Sequence, residues 1–360
     1  MLTDKEQRLP DHSKIPGTVI THSPASSQVF IGSPSLIVLP NGNYVATHDF
    51  FGPGTNDDEM AVYGSEDRGE SWKQLSRFKG QWWSTLFLHN GTLFLIGTSR
   101  EFGDIVIRRS EDGGNTWTDP KDGNTGLIRN DAHYHCAPVP LLINGGRIWR
   151  AFELGVEGER PHWSVLVFSI PLDADLLTAD NWRMSKPFKF DWPGSKWIEW
   201  IEGNIVLTPD GKLVNILRTY GEGGDKAAIV HIAEDGIELS HDREKDIIYF
   251  PGGSSKFTIR YDEKSSRYWS IGSKQTDPKA YRNILVLTSS VDLWNWKVEA
   301  ILFQHPDEVY HAWQYVDWLF EGDDIIAASR TAYDDGLGGA AAAHDANYLT
   351  FHRIKNFRKI

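Results

Sequence analysis

Sulfur is scarce in this chain: one cysteine, Cys136, and three methionines in 360 residues. A lone cysteine excludes an internal disulfide and any cysteine-based zinc site. No apolar run is long enough to cross a bilayer as a helix. Basic residues are outnumbered, 37 Lys and Arg against 49 Asp and Glu, and a formal charge of −12 argues against nucleic acid or an anionic membrane as partner. The first residues, MLTDKEQRLPDHSK, lack the apolar core of a signal peptide. The expected location is therefore the cytoplasm, or the periplasm or exterior if a leader has been removed. Aromatic residues are abundant instead (15 Trp, 12 Tyr, 17 Phe), with 33 Gly and 17 Pro to make turns. That mixture favours short strands over long helices.

A unit of strand, tight turn and strand recurs along the chain, at 33–49, 83–99, 137–153, 203–219, 255–273 and 314–330. The turns centre on Gly42, Gly91, Gly145, Gly211 and Gly322, with Ser265 and Ser266 replacing glycine in the fifth copy. Asn-Gly and Asp-Gly between β-rich runs are strong hairpin signals. Six units of about 55 residues fall in the range of four-stranded propeller blades. The spacing predicts an all-β, six-bladed propeller of antiparallel blades in one domain, residues 1–15 being an N-terminal extension. The segment 17–23 is expected to supply the missing strand of the last blade and close the ring.

Two stretches nearly repeat each other: SEDRGESW at 65–72 and SEDGGNTW at 110–117. Both read S-x-D-x-G-x-[S/T]-W and fall between the third and fourth strands of blades one and two, the fourth strands being SWKQLSRF and TWTDP. Worn versions stand at 289–296 and 233–236. The Asp can accept backbone N–H groups in the turn, Gly permits positive φ, and Trp can pack between blades. A calcium loop would need more oxygen ligands than one Asp and one Ser provide. The motif is therefore read as a structural clamp.

Carrying this motif, the Asp box, between the third and fourth strands of its first two blades, the chain resembles the sialidase superfamily. The box is specific for fold and also occurs in non-enzymatic propellers, so chemistry must be sought elsewhere. In such a propeller the second-to-third loops and the blade connections share the opposite face. Here they are long and irregular: 48–59, 152–163, 275–283 and 329–347. Loops of that kind on a rigid scaffold carry function.

The resemblance implies a set of roles. Glu202 begins the inner strand of blade four and Arg218 ends the next, matching the glutamate and substrate-binding arginine of sialidases. In that family the glutamate polarises a nucleophilic tyrosine, and Tyr281 in the 275–283 loop is the candidate. Asp49, beside His48, falls where the acid/base aspartate stands. Tyrosine nucleophiles are an exception to the two-carboxylate rule, suited to an anomeric carbon that bears a carboxylate. Sialidases also open with an arginine in an R-I-P motif, whereas this chain has Gly32 and Ser33 there. Lys256 is the nearest further cation, and lysine lacks the bidentate fork of arginine. The expected substrate is therefore another acidic sugar, a uronate held by Arg218, Lys256 and Arg330, and not sialic acid.

Two Tyr-His pairs form a competing constellation. Tyr134-His135 opens the third inner strand and Tyr310-His311 the sixth, which would set them across the mouth. His and Tyr can abstract and return a proton. Some propeller polysaccharide lyases are similar in this respect, with a neutralised uronate losing its C5 proton. Trp83, Arg100, Glu153, Lys274, Gln314, Tyr333 and His344 complete the expected substrate-binding set. Trp82, Trp197, Trp200 and Trp313 are expected mainly as wedges between blades. The 334–339 run, DDGLGG, reads as a lid or a plain surface loop, and the alanines after it as local helix or tight packing.

The expected function is an exo-acting glycoside hydrolase of sialidase-like type that removes a terminal sugar from an acidic glycan. A lyase and a non-catalytic glycan-binding propeller are the alternatives. No cofactor is required by this reading, and a structural calcium, or a zinc held by His135, His311 and an acid, stays open. The expected partner is an oligo- or polysaccharide, and the protein a monomer or small homo-oligomer.

Overall fold

The computed structural model describes residues 9–155, 163–190, 199–220, 224–275 and 282–360. Six antiparallel sheets follow one another along the chain and form a six-bladed β-propeller with almost no helix. Blade one is built on Tyr44–Phe51, Glu59–Ser65 and Lys73–Lys79, with an inner strand in two pieces, Phe30–Ile31 and Ser35–Val38. Blade two comprises Trp82–His89, Thr92–Thr98, Ile105–Ser110 and Leu127–Arg129. Its fourth strand is thus 127–129, not the expected TWTDP, because Thr118 only caps Arg109 through its N–H and hydroxyl before the chain turns away. The last blade comprises Ala312–Glu321, Asp324–Ala332 and Tyr348–Ile354, and Thr18–His22 pairs antiparallel with the last of these.

Alternating side chains of each blade pack against its neighbours, and an apolar cluster lies at each junction. Met60 and Val62 of blade one meet Leu86 and Leu95 of blade two. Trp149 and Val167 of blade three meet Ile205 and Leu213 of blade four. Leu36 and Ala46 of blade one meet Ile326 and Leu349 of blade six. The expected wedges Trp82, Trp200 and Trp313 are buried in this packing, while Trp197 lies outside the described residues. The hairpin glycines hold positive φ, and Ser266 takes the same conformation at φ 51° in the fifth copy. Serine there accepts the strain that glycine avoids elsewhere.

The turns at 65–72 and 110–117 are closed by their own side chains. Asp112 Oδ1 accepts the N–H groups of Asn115 and Thr116 at 3.1 and 2.9 Å, and the Ser110 hydroxyl accepts Gly114 N–H at 2.8 Å. Asp67 and Ser65 do the same for Ser71 and Gly69. Asp292 and Ser290 repeat the arrangement in blade five.

Five of the six inner strands are irregular near the mouth. In blades two, four and six the pairing register slips between Trp82 and Thr85, Ile201 and Asn204, and Gln314 and Asp317. At each slip one non-glycine residue has positive φ: Trp83 at 45°, Glu202 at 61° and Tyr315 at 55°. A bulge re-aims one side chain at the end of a strand, and strain of this kind concentrates at functional sites. Blade one is broken at Gly32–Pro34, and blade three at 136–141, where Pro138 and Pro140 cannot join a ladder. Fully buried Arg150 fills the second gap, donating to Val139 and Ala137 carbonyls at 2.9 and 2.6 Å.

Candidate active site

The three bulged residues and the ends of the second strands converge on the long-loop face. A cavity of about 320 Å³ there is lined by Asp49, Trp83, Glu101, Tyr315, Arg330 and His344, among others. Asp49 lies near the end of its strand with 1 % of its surface exposed. Its Oδ1 accepts Ser33 N–H at 2.7 Å and its Oδ2 accepts Trp83 N–H at 2.8 Å. A Cβ on Gly32 would lie 1.5 Å from Oδ1. The Gly32-Ser33 pair therefore exists to admit this carboxylate. Burial pushes Asp49 up to about 7, against the pull of those two N–H groups and Arg330.

Behind the cavity sits a three-membered network. Tyr315 donates its hydroxyl proton to Glu202 Oε1 at 2.9 Å, and Arg218 Nη1 donates to Glu202 Oε2 at 3.1 Å and to the Tyr315 oxygen at 3.3 Å. Arg218 Nε is fixed on the Ser254 carbonyl at 3.0 Å. Burial opposes ionisation of Glu202, but Arg218, His135 and Tyr315 outweigh it and hold the carboxylate below its ordinary range. Burial and the Glu202 charge raise Tyr315, while Arg218, Arg282 and Arg330 draw it down. The Arg330 guanidinium lies 5.0 Å from the Tyr315 ring centroid and Arg282 5.5 Å. Burial pushes Arg330 down to about 10, and its Nε is buried without a hydrogen-bond partner.

A second pair stands beside this network. His135 Nδ1 lies 2.7 Å from Glu153 Oε2, and Glu153 Oε1 accepts Gly203 N–H at 3.3 Å, next to Glu202. The His135 ring meets Trp83 edge-on at 4.3 Å.

Several expected residues stand apart from this centre. Tyr281 lies outside the described residues, and the tyrosine that meets Glu202 is Tyr315. His48 is wholly buried between Phe50 and Tyr63, its Nδ1 on the Asp49 carbonyl, and burial pushes it down to about 4. Lys256 is buried, donating to the Thr258 hydroxyl and Val316 carbonyl at 2.8 Å each, which turns its charge onto the Tyr315 bulge and away from solvent. Arg100 is exposed, and Lys274 is half-buried near Asp225. Gln314 is a bracket, joining Arg282 to the Ala343 carbonyl. His344 accepts Arg330 on its carbonyl and bonds Asp345 through Nδ1. His311 and Tyr333 pack on each other and on His305, a cluster without His135. The 334–339 run is pinned: Asp335 accepts Leu337 and Gly339 N–H groups and meets His22 and Asn347. Alanines 340 and 346 pack tightly, with no helix.

Tyr315, Arg282 and Glu101 escaped sequence reasoning. For Tyr315 a signal existed, since W-I-E at 200–202 and W-Q-Y at 313–315 put Glu202 and Tyr315 at one blade position.

No protein-family model matches the chain, and no curated protein matches it. Solved structures do. The chain is similar to an α-L-arabinanase from Penicillium chrysogenum complexed with arabinobiose, at 17 % identity and TM-score 0.59, covering 96 % of this chain and 99 % of that one. It is similar to Trypanosoma rangeli sialidase in complex with the inhibitor DANA, at 12 % identity and TM-score 0.63, over 94 % and 56 % of the two chains. A family PL25 ulvan lyase matches at 14 % identity and TM-score 0.51, over 89 % and 80 %. At these identities the likeness is one of fold: the chain has the sialidase-like propeller architecture.

Proposed function

We propose that this sialidase-like propeller is an exo-acting glycoside hydrolase that removes a terminal acidic sugar. The observation that carries the reading is the Tyr315 hydroxyl held between Glu202 and Arg218, facing a cavity that contains a near-neutral Asp49. In this reading Tyr315 oxygen attacks the anomeric carbon while Glu202 takes its proton. Asp49 protonates the departing glycosidic oxygen. Water then attacks the tyrosyl intermediate, giving its proton to ionised Asp49 as Glu202 returns one to Tyr315. Two displacements at one carbon retain its configuration. Arg330, with an unsatisfied buried N–H, and Arg282 are suited to a sugar carboxylate. Lys256, spent on backbone carbonyls, leaves that clamp. The arabinanase, sialidase and lyase likenesses support a carbohydrate-active site on this scaffold.

The His135–Glu153 pair favours a second reading, a lyase in which His135 abstracts the C5 proton of a uronate. One experiment separates the two. A panel of uronate-containing and neutral oligosaccharides is incubated with the protein, and products are followed by mass and ultraviolet absorbance. Hydrolysis adds water and leaves no chromophore, and the Tyr315→Phe variant loses it. An unsaturated sugar whose formation needs His135 but not Tyr315 overturns the hydrolase in favour of the lyase. Binding of the panel without turnover overturns both.

A further inference from the structure

Away from the cavity, the connection from blade five to blade six sets two imidazoles and a carboxylate beside Asp334 of the loop after the strand Asp324–Ala332. His305 and His311 stack face to face, with ring centroids 3.6 Å apart and planes 17° from parallel. Asp307 sets the hydrogen bonding of both. Its N–H donates to His305 Nδ1 at 3.1 Å, and its Oδ2 lies 2.8 Å from His311 Nδ1. The proton of His311 is therefore on Nδ1 and the lone pair on Nε2. Asp307 is itself locked, because Oδ1 accepts the N–H groups of Val309 and Tyr310.

His311 Nε2 is buried and has no hydrogen-bond partner, on a side chain only 7 % exposed. It points toward Asp334 Oδ1, 3.7 Å away, too far for a hydrogen bond. Two ligands about 2.1 Å from a tetrahedral ion stand about 3.4 Å apart, so the gap is close to that left by a shared metal. One ligand atom from each of His305, Asp307 and His311 lies within 4.8 Å of the others. A carboxylate that orients a histidine through Nδ1 while Nε2 binds metal is the usual outer support of such a site.

We propose that His311 Nε2 and Asp334 Oδ1, joined by His305 once its Nδ1 releases the Asp307 N–H, form a binding site for a divalent transition metal, zinc by the chemistry of the donors, with Asp307 holding His311 from behind. Imidazole nitrogen with carboxylate oxygen suits zinc, whereas calcium and magnesium take oxygen alone. The trio left open by the sequence, His135, His311 and an acid, does not come together: His135 is engaged by Glu153, and His311 stacks on His305. The metal would tie the 305–311 connection to the loop carrying Asp334 and His344, which already meet where Ala343 N–H reaches the Val309 carbonyl. The site is independent of the hydrolase reading.

The test uses the full chain, stripped with a chelator and desalted, then titrated with zinc chloride by calorimetry near neutral pH. Cobalt(II) serves as a spectroscopic stand-in. The expected result is about one zinc per chain, visible cobalt bands of low-coordinate N/O type, and a melting temperature that rises with zinc concentration. His311→Ala abolishes all three, and Asp307→Asn weakens zinc about 10- to 100-fold. Should His311→Ala fail to fold, the exposed Asp334→Asn serves, with weaker zinc and an altered cobalt spectrum. The proposal is overturned if the wild type takes up no zinc at micromolar concentration, if the variants bind as the wild type does, or if calcium or magnesium bind as tightly as zinc.

Discussion

Two aspartates on opposite faces of the propeller accept much the same bonds and end in opposite states. Asp112, in the exposed 110–117 turn, takes two backbone N–H groups and two hydroxyls. These overcome what burial it has and hold it below the ordinary carboxylate range. Asp49, at the mouth, takes two backbone N–H groups at shorter distances and is pushed up to about 7. The backbone donors are alike, but Asp112 adds two hydroxyls and keeps its solvent. Loss of water raises a carboxyl more than two N–H bonds lower it. The turn carboxylate is thus a clamp charged at neutral pH, and the mouth carboxyl a group that can hold and release a proton near neutral pH.

The comparison breaks first at Tyr315. If the mouth is the reacting face, Tyr315→Phe should lower kcat/KM by roughly 10³-fold or more, since nucleophile losses are of that order. The fold should survive, because only a hydroxyl bonded to Glu202 and Arg218 is removed. Near wild-type turnover of a glycoside by this variant would end the tyrosine reading. Asp49→Asn comes next, with a loss of about 10²- to 10⁴-fold, the usual worth of a general acid. It should also erase the alkaline limb of the wild-type profile, where activity falls as pH rises through about 7. Stability also falls as pH rises, over a lower window. The native state keeps the Asp49 proton up to about 7, while the unfolded chain releases it near 4. Wild-type stability therefore falls with rising pH across that window, by at most about 4 kcal/mol. Asp49→Asn should gain on the wild type over the same range, read by denaturant unfolding at each pH.

How far the sequence carries one toward this comparison differs between the two faces. The clamp face is almost wholly legible, because hairpin glycines and the S-x-D-x-G-x-[S/T]-W turns are local and repeat along the chain. Glu202 and Arg218 are legible for a related reason: they flank one hairpin, and the register sets Ile201 opposite Arg218. Tyr315 was harder, since its role depends on a bulge that turns a strand residue inward, and bulges leave little trace in an alternating pattern. A loop tyrosine such as Tyr281 looked the more accessible choice. Lys256 and His48 misled in the opposite way. Both are polar residues near the mouth, yet their side chains turn into the protein to satisfy carbonyls at Val316 and Asp49. Direction of a side chain at an irregular strand end is a tertiary fact. Arg282, just ahead of the strand Ile284–Ser290, and Arg330, within the strand Asp324–Ala332, meet on the Tyr315 ring, which no spacing rule anticipates.

The smallest effect belongs to the clamp. Asp112→Ala removes the acceptor for Asn115 and Thr116 N–H groups, which solvent can then reach. Stability should fall by about 1 kcal/mol, as for other side-chain caps of backbone N–H groups. That corresponds to about one degree of melting temperature in a chain of this size. The loss has a sign in pH as well. Asp112 is held below its ordinary range, so its contribution is present above the unfolded value and fades as pH falls through the lowered folded one. Wild type and variant should converge in acid, the reverse of the Asp49 pair. Turnover at neutral pH should stay within about twofold of wild type, because surface changes far from a site move it little. If activity instead collapsed while the melting curve hardly moved, the turn would have to act on the reaction, and the division between clamp face and reacting face would be wrong.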